Sequence, residues 1–158
     1  MFREMRRKER QTSGEAARDI LAGASYGVIA MTLEDGYPYA LPVSHLYFEG
    51  AIYFHGANAG QKYEVLAKNP KVCFTATVKD EFQPGKFTTY FRSAVAFGRA
   101  SLVEDEAELG RLSREISRKY EPNVKDEAAD HYAHMQKGRF CFFKITVEHL
   151  TGKTNEPG

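Results

Sequence analysis

Apolar and polar positions alternate along most of this chain, and the alternation breaks at small turn residues. Tyr26 to Leu33 reads as a strand, turned at Glu34-Asp35-Gly36. Asp-Gly between apolar runs marks a tight hairpin, because both central turn residues must reach positive φ. The partner run, Tyr37 to Phe48, carries Pro38 and Pro42. Neither proline can donate to a ladder, so this strand bends or has a free edge, and unpaired edge backbone can bind a ligand. Glu49-Gly50 turns the chain into Ala51–His55, and Lys71 to Val78 is a further strand. A loop over 80–86 contains Pro84-Gly85, and the longest strand signal follows, from Thr88 to Val103. Gly98 interrupts it, as at a bend or bulge of the kind barrels need. Arg139 to Leu150 is the last strand, and Thr151 to Gly158 is a polar tail.

Helical spacing is confined to four places. Thr12-Ser-Gly-Glu15 has capping-box spacing before Ala16, Ala17, Ile20, Leu21 and Ala24. Gln61 to Lys68 is a short helix stopped by Asn69-Pro70. Glu104-Asp-Glu opens a third, with Arg118 and Lys119 in its last turn and an apolar face of Leu109, Leu112 and Ile116. Glu127 to Lys137 is a weaker fourth. Hairpins with peripheral helices predict a mainly β, α+β domain built on an antiparallel barrel.

Composition narrows the class without naming it. The 158 residues form a single domain, 1–158, with an N-terminal arm over 1–11 and a tail over 151–158. A net charge of +1 gives no overall bias toward nucleic acid or anionic lipid. The arm Arg3…Arg6-Arg-Lys8…Arg10 also holds Glu4 and Glu9 and lacks the apolar core of a signal or transit segment, and it reads as a solvated arm or partner contact rather than a nucleic-acid patch. No apolar run approaches a membrane span, and no membrane or nucleic-acid partner is expected. Cys73 and Cys141 sit in strand-like runs without metal-ligand spacing, which suits reduced core thiols in a cytoplasmic protein.

The chemistry concentrates in Ile52-Tyr-Phe-His-Gly-Ala-Asn-Ala-Gly-Gln-Lys62, a strand, a small-residue turn and a lysine at a helix start. Such a segment offers a phosphate backbone N–H groups over Gly56 to Gly60, the His55 imidazole and the mobile Lys62 ammonium. It departs from a phosphate-binding P-loop, with three residues between its glycines and Tyr63 where a hydroxyl must hold magnesium. Ser44 and His45 are adjacent on a strand, point to opposite faces and form no nucleophile–base pair. His131 and His134 have no third ligand by spacing, so no metal site is expected.

The chain resembles the 5-nitroimidazole-resistance (Nim) proteins, a branch of the pyridoxamine-phosphate-oxidase-like FMN-binding split barrels. The resemblance rests on Met1-Phe-Arg-Glu-Met-Arg-Arg7, Asp35-Gly-Tyr-Pro-Tyr-Ala40, Ile52-Tyr-Phe-His55 with Gly60-x-Lys62, and Thr88-Thr-Tyr-Phe-Arg-Ser93. Glu104-Asp-Glu106, Lys119-Tyr-x-Pro122 and Val147-Glu-His-Leu-Thr-Gly-Lys153 extend it, and 123–139 corresponds least.

The resemblance implies a six-stranded antiparallel split barrel forming a homodimer, with FMN lying across the subunit interface. It implies that Tyr39, Leu41, Pro42, Val43 and Ser44 run along the flavin ring, and that His55, Gly56, Ala57, Gln61 and Lys62 hold the phosphate end. Arg92 and Ser93 are the remaining cofactor residues, with Ser93 approaching from the partner subunit. Pyridoxamine-phosphate oxidases proper carry a basic pair where this chain has Gln61-Lys62, which argues against oxidation of that substrate.

The expected activity is reduction of a small electron-poor acceptor such as a nitroimidazole, with His55 as catalytic proton donor. Two rival readings stand beside it. One is an FMN protein that carries electrons or stores flavin without a dedicated substrate. The other is a split barrel holding haem or the deazaflavin F420, for which His45, His55 and His149 are the strand-located axial candidates.

Overall fold

In the computed structural model, which describes residues 2–156, the alternation builds seven strands. They are β1 Gly27–Thr32, β2 Pro38–Val43, β3 Leu46–Phe48, β4 Ala51–Ala57, β5 Lys71–Gln83, β6 Thr88–Leu102 and β7 Phe140–Thr154. Every pairing is antiparallel, in the order β2-β1-β5-β6-β7-β4-β3. Four helices accompany them: α1 Gly14–Gly23, α2 Gln61–Lys68, α3 Glu106–Tyr120 and α4 Asp126–Met135. Met1 of the arm motif and Pro157-Gly158 of the expected tail lie outside the described residues. No helix among the described residues is long and apolar enough to cross a membrane.

The two sheet edges, β2 and β3, are consecutive in the chain and joined only by Ser44-His45. Two connecting residues hold Val43 and Leu46 within about 11 Å of each other. The sheet must therefore curl until its edges meet there, giving a split barrel with a seam at β2/β3. The expected single strand Tyr37–Phe48 is broken at this seam, and the six expected strands become seven through the short β3.

Alternation sorts the side chains into two layers. Ile29, Phe54, Phe74, Ala96, Phe143 and Ile145 fill the barrel interior. Leu46, Tyr53, Val103 and Leu112 form a second cluster on the outer face beneath α3, joined by Leu109, Ile116 and Phe142. Burial of each large side chain contributes about 1.5–3 kcal/mol. The register of β6 on β7 shifts between Phe97 and Gly98, which places a bulge where the glycine interrupts the apolar run.

Three boundaries differ from the sequence pattern. β5 continues to Gln83, because Asp80 and Glu81 pair with Phe91 and Tyr90 while Lys79 forms ion pairs with Glu81 and Glu156. β7 continues through Thr151–Thr154, which pair with β6 from Val95 back to Arg92, so the polar tail starts later than expected. Ser13, not Thr12, caps α1 by accepting from the Ala16 N–H at 3.1 Å, and the Thr12 N–H is held by the Gly152 carbonyl.

The seam is pinned by its own histidine. His45 is fully buried, and its Nε2–H donates to the Leu21 carbonyl at 2.7 Å. Its backbone N–H donates to the Tyr120 hydroxyl at 2.9 Å, and Lys119 Nζ donates to its carbonyl at 2.7 Å. Burial, and secondarily the Lys119 charge, lowers the imidazole pKa to about 4.

Because the folded chain holds His45 neutral while the unfolded chain protonates it near 6.5, its contribution to stability is complete above that pH. That contribution is lost as pH falls toward 4. Urea unfolding of the parent is expected to lose roughly 3 kcal/mol more than His45→Gln between pH 7 and 4. Parallel pH profiles for the two proteins would contradict the assignment.

Candidate functional site: the mouth of the barrel at Lys62

Lys62 lies in the first turn of α2 and folds its side chain back over β4. Gly56 makes room for it: a Cβ there would stand 2.5 Å from Lys62 Nζ and 2.9 Å from Cε. The ammonium sits over the Phe54 and Phe143 rings, 5.5 Å and 5.8 Å from their centroids. The side chain is half-buried and forms no hydrogen bond or ion pair among the described residues. Burial accordingly pushes its pKa below the ordinary lysine value.

A partly desolvated cation without a counter-ion among the described residues costs stability, and an anion beside it would offset that cost. Further donors stand beside it. Gly60, at φ +97°, begins α2 without any side-chain cap, leaving the first-turn N–H groups open to a ligand. The expected donors over Gly56 to Gly60 are fewer than the sequence suggested. Gly56 and Ala57 extend β4 against Cys141 and Phe140, and the Asn58 N–H reaches the Arg139 carbonyl. The Lys62 ammonium and the uncapped start of α2 are therefore donors of the kind an anion such as phosphate uses.

His55 does not share this seat. Phe54 and Gly56 face the barrel interior, and alternation sends His55 to the outer face of β4. There its ring lies 6.0 Å from both the Phe140 and Phe142 centroids and lines a groove of about 380 Å³ beneath α3 and α4. Burial, followed by the nearby Lys62 charge, lowers its pKa. The imidazole is thus neutral at pH 7 and presents one N–H donor to the groove.

The remaining sequence candidates spread over three places. Tyr39 and Leu41 are half-buried against the barrel core and Val43 is buried, while Pro42 and Ser44 are exposed. All but Ser44 belong to the edge strand β2, whose second side has no strand neighbour. Gln61 faces away from Lys62, into a cleft of about 660 Å³ shared with Thr32–Asp35. Arg92 is exposed and paired with Glu156, and Ser93 lies opposite Lys153. His55 lies opposite Phe142, so Ser93 and His55 sit at opposite ends of β7. That separation is about 35 Å along the strand. No single chain brings them together.

Three contributors were not singled out from sequence. Phe54 and Phe143 supply the ring faces under Lys62, and the Cys141 thiol lies 3.6 Å from the Gly56 and Ala57 carbonyls. In the sequence Phe143 reads as strand core or subunit contact, Cys141 as a core thiol, and Phe54 as part of the strand leading to His55. Of the three histidines considered as axial ligands, His45 is committed to Leu21, and His149 stacks on Phe2 with centroids 4.9 Å apart. Cys73 and Cys141 are both free thiols, and no three His, Cys, Asp or Glu side chains gather as a metal site among the described residues.

The family model for pyridoxamine 5'-phosphate oxidase matches residues 13–154. The chain belongs to that family. No curated protein sequence matches it. Among solved structures it is similar to a candidate 5-nitroimidazole antibiotic resistance protein from Bacteroides thetaiotaomicron, at 23% identity, over 91% of this chain and 88% of that one, with a TM-score of 0.71. It is also similar to a conserved hypothetical protein from Mycobacterium tuberculosis, at 18% identity, over 96% and 90% of the chains, with a TM-score of 0.82. A third likeness is to an FAD- and heme-binding protein from Mycobacterium smegmatis, at 18% identity, over 94% and 74%, with a TM-score of 0.73. These likenesses establish the split-barrel fold of this pyridoxamine 5'-phosphate oxidase family member.

Proposed function

We propose that this family member binds FMN through its phosphate at Lys62 and reduces small electron-poor acceptors such as 5-nitroimidazoles. The observation that carries the proposal is the half-buried Lys62 ammonium, without an ion-pair partner among the described residues and folded over Gly56 at an uncapped helix start. Family membership and the flavin named for the M. smegmatis protein favour a flavin as the phosphate's owner. Bound FMN would supply the hydride or electrons. Lys62 and the first turn of α2 would hold the phosphate, while β2 offers unpaired edge backbone to the remainder of the cofactor.

A cofactor site that includes both Lys62 and Ser93 requires two copies of the chain, given their positions at opposite ends of β7. A homodimer is therefore part of the proposal. Large exposed apolar side chains suit such a contact: Phe82 and Phe87 near the β5–β6 turn are 67% and 96% exposed, and Tyr37 is 69% exposed.

His55, on the face of β4 away from the Lys62 seat, is the proposed proton donor to an acceptor held in the groove it lines, which the homodimer would have to bring to the flavin ring. Its lowered pKa means that the imidazolium is scarce at pH 7 and becomes more abundant as pH falls. The test is anaerobic mixing of FMN-loaded, reduced protein with 2-methyl-5-nitroimidazole. Flavin reoxidation should accompany loss of nitro absorbance, about tenfold faster per pH unit on acidification above the His55 pKa, and His55→Gln should flatten this profile. Protein that carries no flavin and cannot be loaded with FMN would overturn the binding claim. Loaded protein inert toward the nitro compound would leave a flavin carrier.

A further inference from the structure

The groove beneath α3 and α4 has features that phosphate binding at Lys62 does not use. Its volume, about 380 Å³, falls in the range of small-molecule sites. Phe140 and Phe142 of β7 form its floor, Leu109 and Ile116 of α3 one wall, and Tyr132 and Ala133 of α4 the other. Charge is balanced within the lining, because Lys137 pairs with Glu106 at 3.2 Å. Ser113 and Ser117 donate their hydroxyl hydrogens to backbone carbonyls four residues earlier, at 2.9 Å and 2.7 Å. They can only accept. The donors in the lining without a partner among the described residues are the ring N–H groups of His55 and His134, the Tyr132 hydroxyl and the Gln136 amide, and of these His55 stands beside both floor rings.

Gly110 supplies the second observation. It occupies the interior of α3, where glycine is less favourable than alanine. Neither packing nor backbone conformation demands it: a Cβ there would meet nothing within 4 Å, and its φ is not left-handed. Gly110 borders the groove, so the missing side chain leaves space in the wall.

We infer that this groove binds a small, uncharged aromatic molecule bearing a hydrogen-bond acceptor, held against Phe140 and Phe142, with His55 donating to the acceptor atom and Gly110 keeping the site open. The site lies on the outer face of β4, opposite the Lys62 seat. Its occupancy does not depend on a flavin being bound.

The experiment uses the full-length protein with and without FMN, and 4-fluoroacetophenone as the probe, followed by fluorine NMR. Titration should broaden and shift the probe signal and move the Cε1–H resonance of His55. Gly110→Leu should weaken probe affinity at least tenfold with FMN binding unchanged. Gly110→Ala is the folding control and should match or exceed parental stability. Ala133→Leu fills the groove from α4 and should weaken the probe similarly, which keeps the test decisive if one leucine variant folds poorly. Absence of probe binding, or affinity unchanged in both leucine variants, would overturn the inference. So would a leucine variant that sediments as a smaller species while probe affinity stays parental, since the groove would then be a contact between copies.

Discussion

Lys62→Glu is expected to weaken FMN binding at least 100-fold while leaving the barrel folded. Loss of a charge-assisted contact to phosphate costs about 1.5–3 kcal/mol, or roughly 10- to 150-fold in affinity. Reversal adds repulsion between a carboxylate and the phosphate at the same mouth. The fold should survive because the ammonium contributes no hydrogen bond to it and Gly56 leaves the side chain free to swing outward. A companion variant sharpens the assignment. Lys62→Met keeps the stem over Phe54 and Phe143 but removes the desolvated charge, so the flavin-free protein should become more stable as its FMN affinity falls. A purely structural lysine would show the reverse, with lower stability and parental affinity. Thermal unfolding without FMN, together with flavin fluorescence titration, reads both quantities.

Gly98→Val should unfold the protein. A Cβ at Gly98 would overlap the Thr146 carbonyl oxygen and stand 3.0 Å from Ile145 Cγ2. The oxygen belongs to backbone of the adjoining strand, so no rotamer change relieves the overlap. The β6–β7 ladder itself must open at the bulge. The expected cost is about 4 kcal/mol or more, comparable to the whole stability of a marginal domain. Gly110→Ala, where a Cβ meets open space, is the contrasting control. Circular dichroism and a urea midpoint separate the two, and a Gly98→Val midpoint matching the parent would show that the ladder yields more easily than its geometry implies.

Local pattern was a good guide where punctuation residues act alone. The bounds of α2, Gln61–Lys68, follow from Gly60 before it and Asn69-Pro70 after it. The bulge at Gly98 follows from one glycine in a long apolar run. Pattern was a poorer guide where partners far away in sequence decide. Asp80-Glu81 look like loop residues until β6 pairs with them, and Thr151–Thr154 look like a tail until the same strand accepts them. The break at Ser44-His45 depends on Leu21, Lys119 and Tyr120, none of them near in sequence.

The candidate site divides in the same way. Lys62 and Gly56 were legible as a lysine after a small-residue turn. That the lysine would fold over Phe54 and Phe143 was not, because β7 supplies the second ring from far downstream in the chain. The outward position of His55 is legible in the sequence. Adjacent to Gly56 on an alternating strand, it had to face away from whatever Gly56 faces. The groove it lines is built by α3 and α4 and includes 123–139, the part of the chain with least correspondence to the resembled family.

The central claim is that Lys62 holds the phosphate of a flavin, and the most direct measurement compares FMN with riboflavin, which lacks that phosphate. Affinities of both are measured for the parent and for Lys62→Ala. The parent should prefer FMN at least tenfold, and in Lys62→Ala the preference should collapse toward unity through weaker FMN binding, with riboflavin affinity unchanged. A preference for FMN that persists undiminished in Lys62→Ala would place the phosphate elsewhere and contradict the account.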